Sequence, residues 1–534
     1  MSEILYFNGS VLTMDKNIPR AEALLTDGRS IKAVGSLAEL RAVACNADEY
    51  DLCGKTLMPA FVDGHSHVMM QGSMLNKCDL SGCRSFDEIL ETILAYREKN
   101  RLFGDEKISC YGYDLSLLKE GRHPTKEVLD RLGIDNPVGC THASFHMGVY
   151  NSAALKGAGI DDSYTFSGSG IVGRDQNGHL NGYFEEGARK VMSEFMSRGI
   201  SESFEDNYRL AEELYLKHGI TTIQDGGNVK EEKIKKFARL AEDGKITADI
   251  ILYLEPRLKD PGFWERAKNL LAEYDHGGKV RIGGVKMVLD GSPQAKTAWM
   301  SKPYEGNPEY CGYPNLTDEC VYEVLRRAAD AGMQVLAHCN GDAAAEQYLS
   351  AWEKVVSETP DAVKIRPVMI HAQTVRYDQL ERMANVGMIP SFFIGHCYYW
   401  GDTHLYNLGD ERGRRISPAR AALELGMKIN FHQDSPVTPP DMLHSIWCAV
   451  NRLTRSGRII GEENRIDVYD ALIAATNGAA YSYFEENTRG IIKPGAVADL
   501  IILSEDPTAS HPEHIKDIKI TAVIKEGKRV RDYS

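Results

Sequence analysis

Between residues 58 and 434 the chain returns eight times to a short apolar run, and most of the intervals carry an amphipathic helical pattern. The runs fall at 58–64, 220–225, 249–254, 282–289, 334–338, 367–371, 388–394 and 428–434. Such runs read as strands, and their alternation with helical patterns reads as successive β/α units. Residues 318–331 show the helical stripe plainly, with Val321, Val324, Leu325 and Ala328 at helical spacing. Eight such units predict an α/β fold, a TIM (β/α)8 barrel. The interval 68–219 is too long for one crossover and is predicted to hold an inserted subdomain, about 68–205, that takes the strand-like stretches 108–113 and 137–142.

The two ends of the chain are different in kind. Short strand-like runs separated by turns occupy the first fifty-odd residues, with Asp27-Gly28 as a hairpin signal, and recur at Ala498–Leu503 and Ala522–Ile524, with Glu526-Gly527 as a second hairpin tip. Both ends are therefore expected to build one small β-sandwich, 1–57 with 481–534, around a barrel domain at 58–480.

A barrel with insertions can exceed roughly 400 residues, so 534 residues suit this plan, and 43% hydrophobic with 26% charged residues suits a large soluble core. The net charge of -14 disfavours nucleic acid and anionic membranes and favours a small-molecule substrate. The first residues lack a basic segment followed by an apolar one, and no stretch approaches the roughly 20 apolar residues of a membrane span, so the expected location is the cytoplasm. A homo-oligomer is left open. Eleven cysteines without CxxC spacing read as reduced thiols, with Cys339, beside His338, as the one candidate nucleophile.

Chemistry concentrates where the apolar runs end. His65 and His67, spaced i, i+2, point to the same side of a strand and can reach one metal ion. Lys286, His338, His371 and Asp434 close or line later runs, at the carboxyl ends where barrel enzymes keep their sites. Alternation points Lys286 away from Val285 and Met287 and into the barrel. A buried ammonium is costly, which leaves two readings: a salt bridge to Asp290 or a neighbour, or carbamylation by carbon dioxide to a carboxylate that bridges metals.

The order HxH, Lys, His, His, Asp over successive strand ends resembles the amidohydrolase superfamily of metal-dependent barrel hydrolases. Further stretches, Gly112-Tyr113-Asp114, His146 with Asn151–Leu155, Asp290-Gly291-Ser292, His338–Asp342, Tyr399–Asp402, Asp434–Val437 and Gly490–Leu500, are similar to the branch that contains N-substituted formamide deformylase. The resemblance implies one or two divalent ions, zinc first among them, with His65 and His67 on one, His338 and His371 on the other, and Lys286 bridging as a carbamate. It also implies Asp434 as ligand and general base for a metal-activated hydroxide that cleaves a non-peptide C–N amide bond. Ser435, where relatives often carry Ala, and His432-Gln433 depart from the pattern.

His146 is a candidate for holding the substrate carbonyl or oxyanion, against a structural role, and Tyr398, Tyr399 and Trp400 for walling an apolar pocket, against loop packing. Asp342 and Asp402 read as supporting or loop-capping groups. Rival readings are a cyclic-amide or lactone hydrolase, a deaminase, which generally lacks the bridging lysine, and a silent scaffold, which usually loses ligands.

Overall fold

All eight apolar runs become strands of one parallel sheet: β1 (Phe61–Val62), β2 (Ile220–Val229), β3 (Asp249–Leu254), β4 (Val280–Val288), β5 (Gln334–Cys339), β6 (Val368–His371), β7 (Ile389–Phe392) and β8 (Asn430–Phe431). Each strand pairs with the next in sequence, so spatial order follows chain order. The sheet curls: the amide of Asp434 donates to the carbonyl of His65 at 3.3 Å, and a Cβ on Gly64 would lie 2.4 Å from Asn430 Oδ1. This computed structural model describes residues 3–168, 170–198, 203–274 and 278–533.

Local chemistry accounts for the intervening helices. Asp318–Ala331 starts where the Thr317 hydroxyl accepts from the amide of Cys320 and stops at Gly332, whose φ of 67° is left-handed. Its buried side is the expected stripe of Val321, Val324, Leu325 and Ala328. Burying each of the larger apolar side chains stabilises by about 1.5–3 kcal/mol.

The run expected at 58–64 serves two sheets. Thr56–Pro59 pairs with Leu500–Leu503 and Ser10–Leu12, whereas β1 begins at Phe61 and pairs with β2. The switch occurs at Ala60, whose amide donates to Asp499, while the amide of Phe61 donates to Gly219. At the other end of the sheet, the expected strand 428–434 shortens to Asn430–Phe431 because the chain turns at Asp434, whose φ is 52°.

The terminal segments form a four-stranded sheet (Ser30–Gly35, Ala23–Asp27, Glu3–Phe7, Asp48–Asp51) and a six-stranded one (Lys528–Asp532, Ile520–Lys525, Leu500–Leu503, Thr56–Pro59, Ser10–Leu12, Arg20–Ala21). Tyr6, Leu24 and Ile31 of the first share a core with Val11, Leu57, Leu500, Ile502 and Ile524 of the second. The hairpin at Glu526-Gly527 forms with both φ values positive, 51° and 73°, the geometry of the tight turn that matches strand twist. These sheets belong to the same compact unit as the parallel sheet, namely 1–68, 212–435 and 439–534.

A second compact unit, 69–211 with 436–438, holds a six-stranded mixed sheet in which Ile108–Tyr113 and Val138–His142 are adjacent and parallel. Two apolar clusters fill it, one around Ile89, Ile93 and Leu129 and one around Phe184, Ala188 and Met192.

Within the first unit a buried ion cluster ties the terminal strands to the start of β3. Lys525 Nζ lies 2.6 Å from Asp249 Oδ2 and 2.7 Å from Asp499 Oδ2, and Arg489 binds both carboxylates. Burial opposes the Asp249 charge, but Lys525, Arg489 and Lys279 hold its carboxyl well below the usual range. Removing one partner of such a cluster leaves uncompensated buried charge. Lys525→Met should cost about 3 kcal/mol of unfolding free energy in a denaturant titration. A loss below about 1 kcal/mol would show that the cluster does not hold these strands to the sheet.

Candidate metal centre

The carboxyl ends of β1, β4, β5, β6 and β8 bring five sequence-predicted groups close together and hold a sixth, His338, alongside. His67 Nε2 lies 3.3 Å from Asp434 Oδ1 and His65 Nε2 3.6 Å from the same atom. His371 Nε2 lies 3.9 Å from Asp434 Oδ2, and Lys286 Nζ 3.0 Å from His65 Nε2. One ligand atom from each of His65, His67 and Asp434 falls within 4.8 Å of the others, a spacing that suits a shared cation. The His338 ring packs against that of His371 with centroids 4.4 Å apart.

Supporting groups decide which nitrogen each ring presents. Gln224, in the middle of β2, faces His65 Nδ1 with its amide oxygen at 2.5 Å, while its Nε2 donates to the carbonyl of Gly64 and to Tyr483 Oη. The amide oxygen can only accept, so His65 carries its hydrogen on Nδ1 and leaves Nε2 as a lone pair. A Cβ on Gly226 would sit 2.3 Å from this ring, so only glycine lets the backbone pass. Asp290 holds His338 Nδ1 at 3.1 Å and also accepts from the backbone amides of Asn340, Gly341 and Trp299. His371 Nδ1 faces His432 Nε2 at 3.1 Å. Asp63, fully buried and pushed up to about 6 by burial, accepts from the amides of His65 and Gln224 and from the Ser66 hydroxyl.

Burial dominates the electrostatics. It holds His65 and His371 well below the ordinary imidazole value and pushes Lys286 down to about 7. Burial would raise Asp434, but the hydrogen bond from His67 and the nearby positive groups outweigh it and keep the carboxyl low. Among the described residues Lys286 has no ion-pair partner, and Asp290, its expected salt-bridge candidate, is occupied by His338 and backbone amides. His371 Nε2 is buried with no hydrogen-bond partner among the described residues. An orphaned imidazole nitrogen facing a carboxylate, beside two more histidines and a lysine, fits a divalent cation.

The other expected residues are placed as follows. Tyr398 and Tyr399 end the short helix His396–Tyr399 after β7, and Trp400 follows it, with its ring 6.1 Å from that of Phe393, which is itself 6.1 Å from that of His371. Tyr398 and Tyr399 also pack on His444. His146 lies in the second unit, its Nδ1 2.9 Å and 3.0 Å from the two oxygens of Glu186. In that unit His142 and Asp114 stand at the adjoining ends of the two parallel strands, with His142 Nε2 3.9 Å from Asp114 Oδ1. Asp342 accepts from Ser301 and Arg376, and Asp402 from Ser456, as loop-capping groups do. The Cys339 thiol is buried and pushed upward by burial and by Asp290, which does not suit a nucleophile.

Sequence reasoning overlooked Gln224, Asp63, Ser391 and the supporting role of His432. Period-two alternation carries the signal for two of them: Asp63 shares a face with His65, and His432 with Asp434.

A model of the amidohydrolase family matches residues 48–531. The chain belongs to the amidohydrolase family. It is 27% identical over 546 residues to YtcJ of Bacillus subtilis (strain 168), a protein named for the same class of enzyme, with 99% of each chain covered. It is 24% identical over 542 residues to N-substituted formamide deformylase of Arthrobacter pascens, covering 99% of this chain and 98% of that one. A crystal structure described as a metal-dependent hydrolase from Pyrococcus horikoshii OT3 superposes with a TM-score of 0.76 at 25% identity, covering 96% and 99% of the two chains. Membership makes this chain a hydrolytic enzyme of a metal-dependent family, in agreement with the resemblance that its motifs carry. Among the described residues no helix is long and apolar enough to cross a membrane.

Neutral burial of histidines has a pH signature. His396 and His404, paired at 3.0 Å, are held below the ordinary value of 6.5 by burial, as are His65, His371 and His432. The unfolded chain binds these protons below about 6.5 and the folded chain does not, so their contribution is complete above that pH and falls away beneath it. The denaturation midpoint of metal-stripped protein should therefore drop steadily from pH 7 to pH 5. A flat profile would show that these rings take up protons without unfolding.

Proposed function

We propose that this enzyme is a metal-dependent hydrolase of a non-peptide C–N amide bond, an N-substituted formamide or related N-acyl amide. The observation that carries this reading is the meeting of His65, His67, Lys286, His371 and Asp434 around an unpartnered, buried imidazole nitrogen. Similarity to a protein named N-substituted formamide deformylase supports the substrate class. The same reading takes the curled sheet as a closed (β/α)8 barrel and the two terminal sheets as a β-sandwich.

His65, His67, His371 and Asp434 would hold the ion, with zinc suited to this nitrogen-rich set, and His338 would complete a second position. Bound there, a divalent ion acidifies water toward a pKa of about 7 and polarises a carbonyl. Asp434, kept ionised by His67 and its neighbours, accepts a proton at Oδ from attacking water and returns it to the nitrogen of the departing amine. Lys286 Nζ, pushed down to about 7 by burial, is uncharged in a substantial fraction of molecules near neutrality and then has the lone pair needed to attack carbon dioxide; the N–C bond forms, one proton leaves, and a carbamate oxygen replaces an amine as donor. The aromatic series from Phe393 through Trp400 to Tyr399 and Tyr398 offers an apolar wall for the amine substituent.

Asp434→Asn keeps the shape and an oxygen donor but removes the base. Turnover of N-substituted formamides should fall by about 10²–10⁴-fold while elemental analysis still finds metal. A variant that retains both metal and turnover would remove Asp434 from the proton transfer. Intact mass with and without bicarbonate reads the lysine: a labile gain of one carbon dioxide, lost in Lys286→Ala, is expected.

A further inference from the structure

Resting on the reading of this site as a metal centre, we propose that His432 is a positioning residue that fixes the tautomer of His371, so that His371 offers its Nε2 lone pair to the ion. A chain of hydrogen bonds with one consistent direction carries the argument. It begins at Asn430 in β8, whose amide nitrogen donates to Ser482 Oγ at 2.7 Å. The amide oxygen of Asn430 is thereby turned to Ser391 in β7, which donates its hydroxyl hydrogen at 2.5 Å. A hydroxyl has one hydrogen, so at the 2.8 Å contact with His432 Nδ1 the Ser391 oxygen accepts. His432 therefore bears its hydrogen on Nδ1 and has a lone pair at Nε2. That lone pair lies 3.1 Å from His371 Nδ1, which must be the donor. A neutral His371 is then left with a bare Nε2, and this is the buried nitrogen that has no hydrogen-bond partner among the described residues and lies 3.9 Å from Asp434 Oδ2.

His65 and His338 are held at Nδ1 in the same way, by an amide and a carboxylate. The third ring is held by another imidazole, which brings no negative charge to the centre. His432 lies two residues before Asp434 in the chain. The opposite direction of the chain, with Asn430 turned over, would put a hydrogen on His371 Nε2 and remove it as a ligand.

The test measures Zn²⁺ affinity by chelator competition and the visible absorption of the Co²⁺-loaded full chain, for wild type, His432→Phe, His432→Gln and Ser391→Ala. His432→Phe keeps a ring but no acceptor, and should bind Zn²⁺ about 10–100-fold more weakly, with shifted Co²⁺ bands. His432→Gln, whose amide oxygen can again accept from His371, should return to within about threefold of wild type. Ser391→Ala, which frees the His432 tautomer, should weaken binding by up to about 10-fold. Unchanged affinity and an unchanged Co²⁺ spectrum in His432→Phe overturn the proposal while leaving the metal centre standing, and equal losses in His432→Phe and His432→Gln overturn it in favour of simple packing. Should His432→Phe fail to fold by circular dichroism, unchanged affinity in Ser391→Ala overturns it instead. Wild-type protein that binds no Zn²⁺ removes the metal centre and this proposal with it.

Discussion

A buried, neutral imidazole has two nitrogens and one hydrogen, and at this centre that count governs the arrangement around it. Whatever occupies Nδ1 decides what Nε2 can do. Gln224 does this for His65 from within the neighbouring β2, and Asp290 for His338 from just beyond the end of β4. Burying such groups unpaired costs roughly 1–3 kcal/mol each, so the supporting residues are as necessary as the rings they hold. Asp290 has a further duty: by capping the amides of Asn340 and Gly341 it fixes the loop that leaves β5.

The backbone contributes at the same places. His371, Ala372 and Asp434 all have positive φ, 72°, 45° and 52°, which side-chain-bearing residues rarely adopt. Conformations of this kind cost of order 1–3 kcal/mol and persist where surrounding structure enforces them. Here the chain leaves the extended conformation at His371, the last residue of β6, and at Asp434, just beyond β8. Hydrogen bonds from Asp434 to His65 and from His67 to Ser435 join the turn after β8 to the turn after β1.

Much of this was legible in the sequence because strands report themselves twice, through apolar continuity and through what stops it. The runs ending at His338 and His371 became β5 and β6 almost to the residue, and alternation alone set Lys286 inward. Less legible was anything that depends on which strand lies beside which. Gln224 is one of several polar residues in 220–225 until β2 is set against β1, and Ser391 gains meaning only when β7 meets β8. The division of 58–64 between two sheets was hidden for a related reason: Pro59 and Ala60 look like continuous strand, and only the partners, Asp499 on one side and Gly219 on the other, separate them.

The salt-bridged Lys525 bears on how the molecule comes together in time. Its contact with Asp249 spans 276 residues of chain. Contacts this distant in sequence close late, since the loop entropy is spent before any reward arrives. Until they close, Asp249 lies at the entrance to β3 with part of its positive shell missing, and the floor of the parallel sheet carries unbalanced charge. The strands that bear the chemistry can thus pair early, while their final rigidity waits for a lysine delivered from the far end of the sequence.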